Sequence, residues 1–527
     1  MTCAETITPS KRLLITISVM LATLMQVLDT TIVNVALPHM QGSLAATPDQ
    51  VPWVLTSYLV SSAICMPLTG YFSDILGRKN YLLICMSGFI VASALCGAAT
   101  TLPEIVCFRL MQGVFGAGLV PLSQAILADV YLPEERGKAM ALWGMGVMVG
   151  PILGPTLGGY LTEVASWRWT FYINVPFGLF ALFLAWQVVP KTPKKTRHMD
   201  WWGLLFLSVA IGATQFFLDR GNQDDWFSSM TITIAAVLAV AGAVAFGVHS
   251  TKPKQRMVFD ISIFKDRNFT VSSILLAVFG LSLFGSMVIF PLMLENLMNY
   301  PVLTTGLVMA PRGVGSLLST MLMGRLIKHF DPKVLVATGI VICLLGSLVT
   351  VHYNLEISPS WIVVPMFFQG FGLGMIFVPL SAVAFSTLPA SSRAEGAGLY
   401  SLLRTLGSSI GISVVVTLFT RMTQADWNYL GGFINPYNPA LQHYLQIMQT
   451  RYSLMPAMQP TEALFGNPVA FGILQAELSR QAQMTALVDT FAFINFSMLF
   501  MLPLVLLLKS THKKSKVPAS VPESGLE

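Results

Sequence analysis

Apolar runs of about 20 residues, the length that one helix needs to cross the hydrocarbon core of a bilayer, alternate with short polar segments along the whole chain. The first run follows Lys11 and Arg12. It is too long for a signal-peptide core and lacks a small-residue cleavage site, so we expect it to remain as a membrane anchor. The pattern predicts fourteen membrane-spanning helices, at residues 13–35, 52–72, 81–101, 104–128, 138–161, 169–189, 201–219, 229–249, 269–294, 303–326, 334–352, 361–387, 397–420 and 485–508.

The fifth predicted span carries a pattern of small residues, GMGVMVGPILGPTLGG, at 144–159. Two Gly-Pro pairs would disrupt a helix in water, whereas neighbouring helices in a membrane can satisfy the backbone groups that proline frees. Glycines repeat every four residues, so a second helix can pack closely against that face. We predict a kinked, closely packed helix that moves during transport, with a simple packing motif as the alternative. The residues are Gly150, Pro151, Gly154, Pro155, Gly158 and Gly159.

The first predicted span carries four polar side chains, and their spacing places them on one face of an apolar helix. They are Gln26, Asp29, Thr30 and Asn34. A carboxylate within a membrane costs about 2.5–3.5 kcal/mol, so we expect Asp29 to face a cavity or a partner. Arg109 is the candidate partner, because Asp29 and Arg109 lie about 24 and 30 Å from the inner ends of their spans. The alternative role is a static buried pair that only holds the helices together.

Composition agrees with a membrane protein and excludes several classes of function. The chain of 527 residues is 54% hydrophobic and 11% charged, whereas a soluble domain is about 25% charged. No GxxxxGK[ST] phosphate loop occurs, which argues against ATP-driven transport. None of the six cysteines forms a CxxC pair, so we expect neither a structural disulfide nor a metal site.

Basic residues cluster in alternate loops, and this predicts the orientation of the chain. If both termini are cytoplasmic, the inside segments hold 23 of the 31 Lys and Arg residues. A thirteen-span arrangement would reverse this pattern halfway along the chain. The net charge of +6 is therefore an orientation signal, and it points to no nucleic-acid partner. Three arginines lie within spans, at Arg109, Arg312 and Arg404, while Glu104 and Asp200 are expected to cap helices.

Two inside loops are alike and indicate an internal repeat. GYFSDILGRK at 70–79 links spans 2 and 3, and GRLIKHFDPK at 324–333 links spans 10 and 11. If these positions are equivalent, two six-helix halves flank an insertion of two helices, an arrangement typical of secondary transporters. The predicted domains are an inner N-tail at 1–12, the first half at 13–190, two inserted helices with basic linkers at 191–268, the second half at 269–508 with an outer loop at 422–484, and an inner C-tail at 509–527.

Several motifs occur in an order that points to one family. They are LDTTIVNVALP at 28–38, GYFSDILGRK at 70–79, RLMQGVFGAG at 109–118, the Gly-Pro run of span 5, and WRWTFYINVPFG at 167–178. The chain resembles the major facilitator superfamily in its fourteen-span drug:proton antiporter branch, and most closely the EmrB/QacA group. The resemblance implies an all-α polytopic membrane protein with the major facilitator fold. It also implies a transporter in the inner membrane, with no enzymatic activity and no cofactor.

The resemblance assigns roles to several motif residues. Asp29 and Arg109 are implied to couple transport to protons, with Asp29 alternating between its protonated and ionised forms as a proton and a lipophilic cation compete for it. Residues implied to line the central cavity are Gln26, Thr30, Asn34, Gln112, Arg312 and Arg404. For Arg312 and Arg404, pairing across helices or snorkelling is the alternative. Residues implied to form a conformational latch on the inside are Gly70, Asp74, Gly77, Arg78 and Asp129, with a solvated loop as the alternative.

Three classes of function remain open at this point. Proton-driven export of lipophilic drugs by alternating access is the leading one. Export of one physiological amphiphile, such as a fatty acid, siderophore or lipid, is the second, and a non-transport scaffold is the third. Resemblance to Gram-negative EmrB, which works in a tripartite pump, implies that the outer loop at 422–484 docks a periplasmic adaptor and outer-membrane channel. A lid or an unstructured connector is the alternative for that loop.

Overall fold

The computed structural model describes residues 8–47, 50–132, 135–194, 200–250, 260–327, 329–389, 392–435, 437–439, 441–443 and 468–509. The predicted C-tail beyond Lys509, much of the two basic linkers, and the middle of the predicted outer loop lie outside these residues. The described part of the chain contains helices and turns and no strand. This confirms the prediction of an all-α protein.

The described residues form seventeen α-helices. They are α1 (Pro9–Ser43), α2 (Trp53–Cys65), α3 (Thr69–Leu76), α4 (Arg78–Ala98), α5 (Leu102–Gly116), α6 (Leu119–Val130), α7 (Arg136–Val164), α8 (Trp169–Tyr172), α9 (Asn174–Val188), α10 (Trp201–Arg220), α11 (Met230–His249), α12 (Arg267–Pro291), α13 (Val302–Leu326), α14 (Pro332–Leu348), α15 (Ser360–Ser386), α16 (Arg393–Gly431) and α17 (Pro468–Val505).

Fourteen helical segments in the described part of the chain are long enough to span a membrane. Twelve meet the requirement by both length and apolar content, among them α2–α3 and α5–α6, which each count as one segment. The other two are α7, with 29 residues, and α13, with 25. These segments agree with the predicted number of spans.

Local sequence signals explain where several helices begin. Thr101 and Glu104 form a capping box at the start of α5, in which each side chain accepts a hydrogen bond from the backbone of the other residue. The Asp200 carboxylate accepts a hydrogen bond from Gly203 N at 2.9 Å and caps α10. Both predicted caps are confirmed, and Asp266 and Asp331 cap α12 and α14 in the same way.

The small-residue face of α7 packs directly on α1. A Cβ added at Gly154 would lie 2.1 Å from Thr31 Oγ1, and one added at Gly150 would lie 2.7 Å from Val27 Cγ1. Thr31 Oγ1 also donates a hydrogen bond to the Gly150 carbonyl at 3.2 Å. The predicted close approach of a second helix is confirmed, and α1 is that helix. The predicted kink in α7 stays a prediction.

The two predicted halves meet at one end of the bundle, here called the basic end, which carries Arg12, Arg78 and Arg393. Near this end the Trp143 ring on α7 stacks on the Phe377 ring on α15, with centroids 5.5 Å apart and an interplanar angle of 16°. Helix α7 also packs along α13, and α3 and α6 pack against α16. These contacts close the space between the halves at the basic end.

The two inserted helices lie beside one of these inter-half contacts. Helices α10 and α11 pack chiefly on each other, and α10 also contacts α2 and α16. Gln215 Nε2 on α10 donates a hydrogen bond to Ser409 Oγ on α16 at 2.7 Å. The division of the chain into domains stays a prediction, and these contacts place the insertion at the junction of α2 with α16.

Several predicted boundaries differ from the structure. The fourth span is interrupted at 117–118, between α5 and α6, where the chain has an Ala-Gly pair. Helix α16 continues to Gly431, and α17 begins at Pro468, so both ends of the predicted outer loop are helical. Residues 468–484 at the end of that loop form the first part of α17. Polar residues in these extensions gave no membrane signal, so the sequence placed the end of α16 too early and the start of α17 too late.

Candidate functional site

Asp29 on α1 and Arg109 on α5 form an ion pair, with Asp29 Oδ2 2.6 Å from Arg109 Nη1. The second carboxylate oxygen, Oδ1, accepts hydrogen bonds from Gln112 Nε2 and from Asn174 Nδ2, both at 2.9 Å. Gln112 also accepts a hydrogen bond from Arg109 Nη1 at 2.7 Å. Three helices, α1, α5 and α9, thus converge on one carboxylate.

The Arg109 guanidinium is held on its other side by groups that carry no charge. Its Nε donates a hydrogen bond to the Val54 carbonyl on α2 at 3.0 Å. Its Cζ lies 4.3 Å from the centre of the Tyr58 ring and 5.6 Å from that of Phe171, both within the range of a cation–π contact. The cation is therefore fixed between one carboxylate and two aromatic faces.

The Asp29–Arg109 cluster is sealed within the first predicted half. Both side chains have 0% relative exposure, and Gln112 has 0% as well. In a low-dielectric interior, removing one member of such a pair leaves an uncompensated buried charge and costs about 3–5 kcal/mol. Protonation of Asp29 has a related effect, because it cancels the charge that balances Arg109. Protonation at this cluster can therefore loosen the contact of α1 with α5 and α9.

Sequence reasoning found the ion pair but missed part of its surroundings. Asn174 follows the WRWTFYI segment at the start of α9, and its Nδ2 also lies 3.0 Å from Ser93 Oγ on α4. An amide and a hydroxyl within apolar spans were a signal that could have suggested a polar partner for Asp29. The contact with the Val54 carbonyl could not be predicted from the sequence, because every residue has a backbone carbonyl group.

The side chains predicted to line the central cavity have different surroundings. Gln112 belongs to the sealed cluster, and Gln26 is 4% exposed and lies beside Tyr58. Thr30 Oγ1 donates to the Val27 carbonyl of its own helix, while Asn34 is exposed and bonds to the Thr30 carbonyl. The predicted polar stripe thus turns from the interior of the half at Asp29 to an exposed position at Asn34.

The two arginines predicted in the second half also differ from each other. Arg312 on α13 is 8% exposed, and its Nη2 donates a hydrogen bond to Ser286 Oγ on α12 at 2.8 Å. Arg404 on α16 is partly exposed and makes no side-chain hydrogen bond or ion pair with the described residues. Arg312 is therefore packed within the second half, where its Nε and Nη1 are buried without a hydrogen-bond partner among the described residues.

The residues predicted to form a latch come together at the basic end. Asp129 on α6 pairs with Arg78 at the start of α4 and with Arg393 at the start of α16, the latter at 3.0 Å. Asp74 lies beside Arg78 and interacts with it. Arg393, missed by sequence reasoning, brings the second half into the cluster. In the sequence it is one basic residue of a predicted inside loop.

Two glycines of the predicted latch are required by its geometry. Gly77 has φ +81°, in the region that favours glycine, and the Thr192 hydroxyl accepts a hydrogen bond from the next backbone amide, Arg78 N, at 2.8 Å. A Cβ added at Gly70 would lie 2.8 Å from Glu395 Cβ on α16. Gly70 therefore sits at a close approach of the two halves, and Gly77 sets the sharp turn into α4.

The family model and the similar proteins found by comparison agree on one family. The model of the Major Facilitator Superfamily matches residues 19–412. Multidrug export protein EmrB of Haemophilus influenzae is 35% identical over 443 residues, which cover 83% of this chain and 86% of that protein. Probable multidrug resistance protein EmrY of Escherichia coli K12 shows the same identity and coverage. Fatty acid resistance protein FarB of Neisseria gonorrhoeae is 35% identical over 429 residues, covering 81% of this chain and 84% of that protein.

Solved structures share the fold at low sequence identity. The human organic anion transporter MFSD10 aligns with a TM-score of 0.58 and 16% identity, covering 93% of this chain and 100% of that chain. The proton:xylose symporter XylE aligns with a TM-score of 0.57 and 15% identity, covering 95% of this chain and 100% of that chain. At this identity the likeness concerns the fold alone.

Proposed function

The chain belongs to the major facilitator superfamily, and from that premise we propose that it is a proton-coupled exporter of lipophilic compounds that works by alternating access. It is a multi-pass inner-membrane protein and a transporter of small molecules, as its bacterial EmrB relatives and its membrane-length helices indicate. Several relatives are named multidrug export proteins, and that activity is proposed for this chain. Both termini are proposed to be cytoplasmic, from the distribution of basic residues.

The proposal of proton coupling rests on the sealed Asp29–Arg109 cluster. An ionisable group inside a membrane span is by default a functional candidate, and this one holds three helices together through its charge. When Asp29 is protonated, its attraction for Arg109 falls, and the carboxyl group needs a new acceptor for its own proton. Gain and loss of a proton therefore change how tightly α1 is held against α5 and α9.

A contiguous set of contacts links this cluster to the other half. Helix α1 packs on the glycine face of α7, where Thr31 bonds to the Gly150 carbonyl. Trp143 of α7 donates a hydrogen bond to Thr23 Oγ1 of α1 at 3.2 Å and stacks on Phe377 of α15. A shift of α1 on protonation is thus passed to α7 and from there to the interface between the halves.

The burial of Asp29 changes the mechanism expected from sequence. Direct competition between a proton and a bound cation needs a carboxylate that the substrate can touch, and Asp29 has no exposed surface in this state. We infer instead that the proton and the substrate bind at separate places and are coupled through the movement of α1 and α7. With the basic end closed and cytoplasmic, this state corresponds to the outward-facing half of the cycle.

Everted membrane vesicles provide the test of this function. A pH gradient is imposed and lipophilic compounds are added, with wild type and Asp29→Asn compared at matched expression. Substrate should dissipate the gradient with wild type and leave it intact with the variant. An Asp225→Asn variant is the control, since Asp225 is 67% exposed and lies outside the cluster. Equal dissipation by wild type and Asp29→Asn would place the proton site elsewhere.

Export of one physiological amphiphile is the second candidate. The relative FarB is named a fatty acid resistance protein and is as similar to this chain as the EmrB and EmrY relatives are. The same proton-coupled machinery serves both activities. A transport survey that includes fatty acids and lipophilic drugs separates them, because only a multidrug exporter accepts chemically unrelated compounds.

An adaptor partner is proposed for the outer extensions of α16 and α17. With 39 and 38 residues, these helices are about 58 Å long, about twice the hydrocarbon thickness of a bilayer. Tyr429, 69% exposed, lies on the extension of α16, and Phe433, 52% exposed, lies just after its end. A Tyr429→Ser/Phe433→Ser variant should keep antiport in vesicles but lose resistance in cells with an outer membrane. Loss of vesicle antiport as well would favour a lid.

A further inference from the structure

Asp219 is a second carboxylate within a span, and the mechanism described above does not use it. It is the last residue but one of α10, about 27 Å from the start of that helix and near the end of the bundle opposite the basic end. Its Oδ1 accepts a hydrogen bond from Gln215 Nε2 at 3.1 Å. Its Oδ2 is buried and has no hydrogen-bond partner among the described residues. Asp29, in contrast, is held by a cation and two amides.

Gln215 links this carboxylate to the second half and has an unsatisfied acceptor of its own. Its Nε2 also donates a hydrogen bond to Ser409 Oγ on α16 at 2.7 Å. Gln215 has no exposed surface, and its Oε1 has no hydrogen-bond partner in the part of the chain that the structure describes. Two neighbouring side chains thus each hold a buried acceptor that lacks a donor. Such atoms cost free energy until a donor reaches them.

No cation among the described residues balances the charge of Asp219. The next residue, Arg220, lies 5.4 Å from the centre of the Trp53 ring and pairs with Asp224 at 3.5 Å. The Thr56 hydroxyl on α2 lies beside the carboxylate but makes no hydrogen bond with Oδ2. An ionised carboxylate is costly in such surroundings, because it offers about four acceptor sites and meets few donors.

The other titratable and charged groups on the helices packed against Asp219 lie elsewhere or are engaged with other partners. They are Tyr58 of α2 beneath Arg109, Cys65 at the far end of α2, His249 of α11 with Asp200 at the start of α10, Arg421 of α16 with Asp225, and Arg404 on the side of α16 that packs on α12. A proton is therefore the ligand that would satisfy both the charge of Asp219 and the two buried acceptors.

We propose that Asp219 and Gln215 form a second proton-binding site, in which a proton on Asp219 Oδ2 holds the inserted helix α10 against α16. The new O–H group donates to Gln215 Oε1, while Gln215 Nε2 continues to donate to Asp219 Oδ1. One proton thus satisfies both buried acceptors in a cyclic pair of an acid and an amide. The pair fixes the same amide that bonds to Ser409.

The position of this pair connects proton binding to the conformational cycle. Helix α10 packs on α2 of the first half and on α16 of the second, so it bridges the halves away from the closed basic end. Asp219 keeps some exposed surface, so a proton can reach it in a state in which Asp29 is sealed. The bound proton stabilises this state and is not exchanged for substrate. The site does not depend on the exported compound, and only the periplasmic origin of its proton rests on the proposed orientation.

Proton binding is tested by infrared difference spectroscopy of the purified full-length protein between alkaline and mildly acidic pH, in H2O and in D2O. Acidification should produce the C=O band of a buried protonated carboxyl group, shifted in D2O. The band should persist in Asp29→Asn, which lacks the sealed carboxylate, and in Asp225→Asn, whose side chain is 67% exposed. It should be missing from Asp219→Asn. Difference spectra of Asp219→Asn that match those of wild type would overturn the proposal.

Spin labels test whether the proton holds α10 against α16. Labels at Phe227→Cys and Ile410→Cys, which replace exposed side chains, report this distance in a background without other reactive cysteines. Acidification should narrow the distance distribution of wild type. Asp219→Asn should give the narrow distribution at every pH, since its amide can donate to Gln215 Oε1 as the protonated acid does, and Asp219→Ala should give the broad one. A pH response of wild-type size in Asp219→Asn would contradict the site.

Thermal unfolding guards against misfolding of these variants. At alkaline pH, Asp219→Asn should have a Tm equal to or above that of wild type, because it removes a buried charge that no cation balances. This advantage should shrink on acidification, since wild type gains stability as its folded state takes up the proton. A difference in Tm that is the same at every pH would count against proton binding at Asp219.

Transport in proteoliposomes separates this site from proton coupling at Asp29. Asp219→Asn should move substrate and protons in the wild-type ratio, because the proton at Asp219 is not exchanged for substrate. Loss of proton-coupled transport in Asp219→Asn, as expected for Asp29→Asn, would place Asp219 in the coupling path and overturn a separate holding site. If wild type transports no lipophilic compound, the export function is contradicted, while the infrared and distance measurements still decide the proton site.

Discussion

Arg393 Nη1 on α16 lies 3.0 Å from Asp129 Oδ1 on α6, and Arg78 pairs with the other oxygen of the same carboxylate. Asp129 and Arg78 belong to the first predicted half, whereas Arg393 belongs to the second. One carboxylate therefore ties the two halves together at the basic end. The groups are only partly buried, with Asp129 25% exposed, so the tie is strong enough to bias a conformational equilibrium and weak enough to be broken in each cycle.

The first prediction concerns this tie. Asp129→Asn removes the charge shared by the two arginines and should weaken closure at the basic end by about 1 kcal/mol, a shift of about fivefold in population. Spin labels at Asn80→Cys and Phe330→Cys, in a background without other reactive cysteines, report the distance between the halves. A larger population at long distance is expected. An unchanged distance distribution would show that the triad does not control closure.

Gly70 supplies a second, steric prediction at the same interface. A Cβ in Gly70→Ala would lie 2.8 Å from Glu395 Cβ, so the halves can close only if α3 and α16 separate. We expect the variant to populate the state that is open at the basic end and to lose most of its transport. Gly247→Ala on α11 is the matched control, since nothing lies within 4 Å of its added Cβ. Transport by Gly70→Ala at the wild-type rate would contradict the close approach.

A third prediction separates structural and functional roles of the sealed cluster. Asp29→Asn or Arg109→Gln alone should lower the free energy of unfolding by about 3–5 kcal/mol, because each leaves a buried charge without its partner. The double variant should recover much of that stability and still lack proton-coupled transport. Thermal unfolding in detergent and vesicle transport measure the two properties separately. Recovery of transport in the double variant would mean that neither charge is needed for coupling.

The contact between α1 and α7 gives a fourth prediction. Gly154→Ala places a Cβ 2.1 Å from Thr31 Oγ1, which forces the two helices apart and should cost about 1–3 kcal/mol of stability. Coupling should suffer more than folding, because this contact passes the movement of α1 to α7. The measurement is the ratio of substrate moved to protons moved in proteoliposomes. A stable variant with a wild-type ratio would exclude this contact as the route of coupling.

Much of the architecture was predictable because a bilayer imposes a length and an apolar composition on every span. The pairing of Asp29 with Arg109 was also within reach, since two opposite charges at similar depth in a membrane have few other ways to be compensated. The close packing of another helix on the glycine face of α7 could be predicted for a similar reason. Four-residue spacing of glycines has one main physical consequence, which is close approach of another helix.

Other parts of the site lay beyond the sequence. Arg393 meets Asp129 across 264 residues, and no local pattern distinguishes it from an ordinary loop arginine. The Val54 carbonyl holds Arg109 through the backbone, which any residue could supply. Whether an arginine within a span meets a carboxylate, as Arg109 does at Asp29, or only a hydroxyl, as Arg312 does at Ser286, depends on the rotation of its helix. Composition does not determine that rotation.

The most direct test of the account is proton release by the purified protein on addition of substrate, followed with a pH-indicating dye in weak buffer. Wild type and the Asp225→Asn control should release protons when substrate binds, and Asp29→Asn should release none while still binding substrate. That result would identify Asp29 as the coupling carboxylate. Proton release of wild-type size from Asp29→Asn would contradict the account, because the coupled proton would then be held by another group.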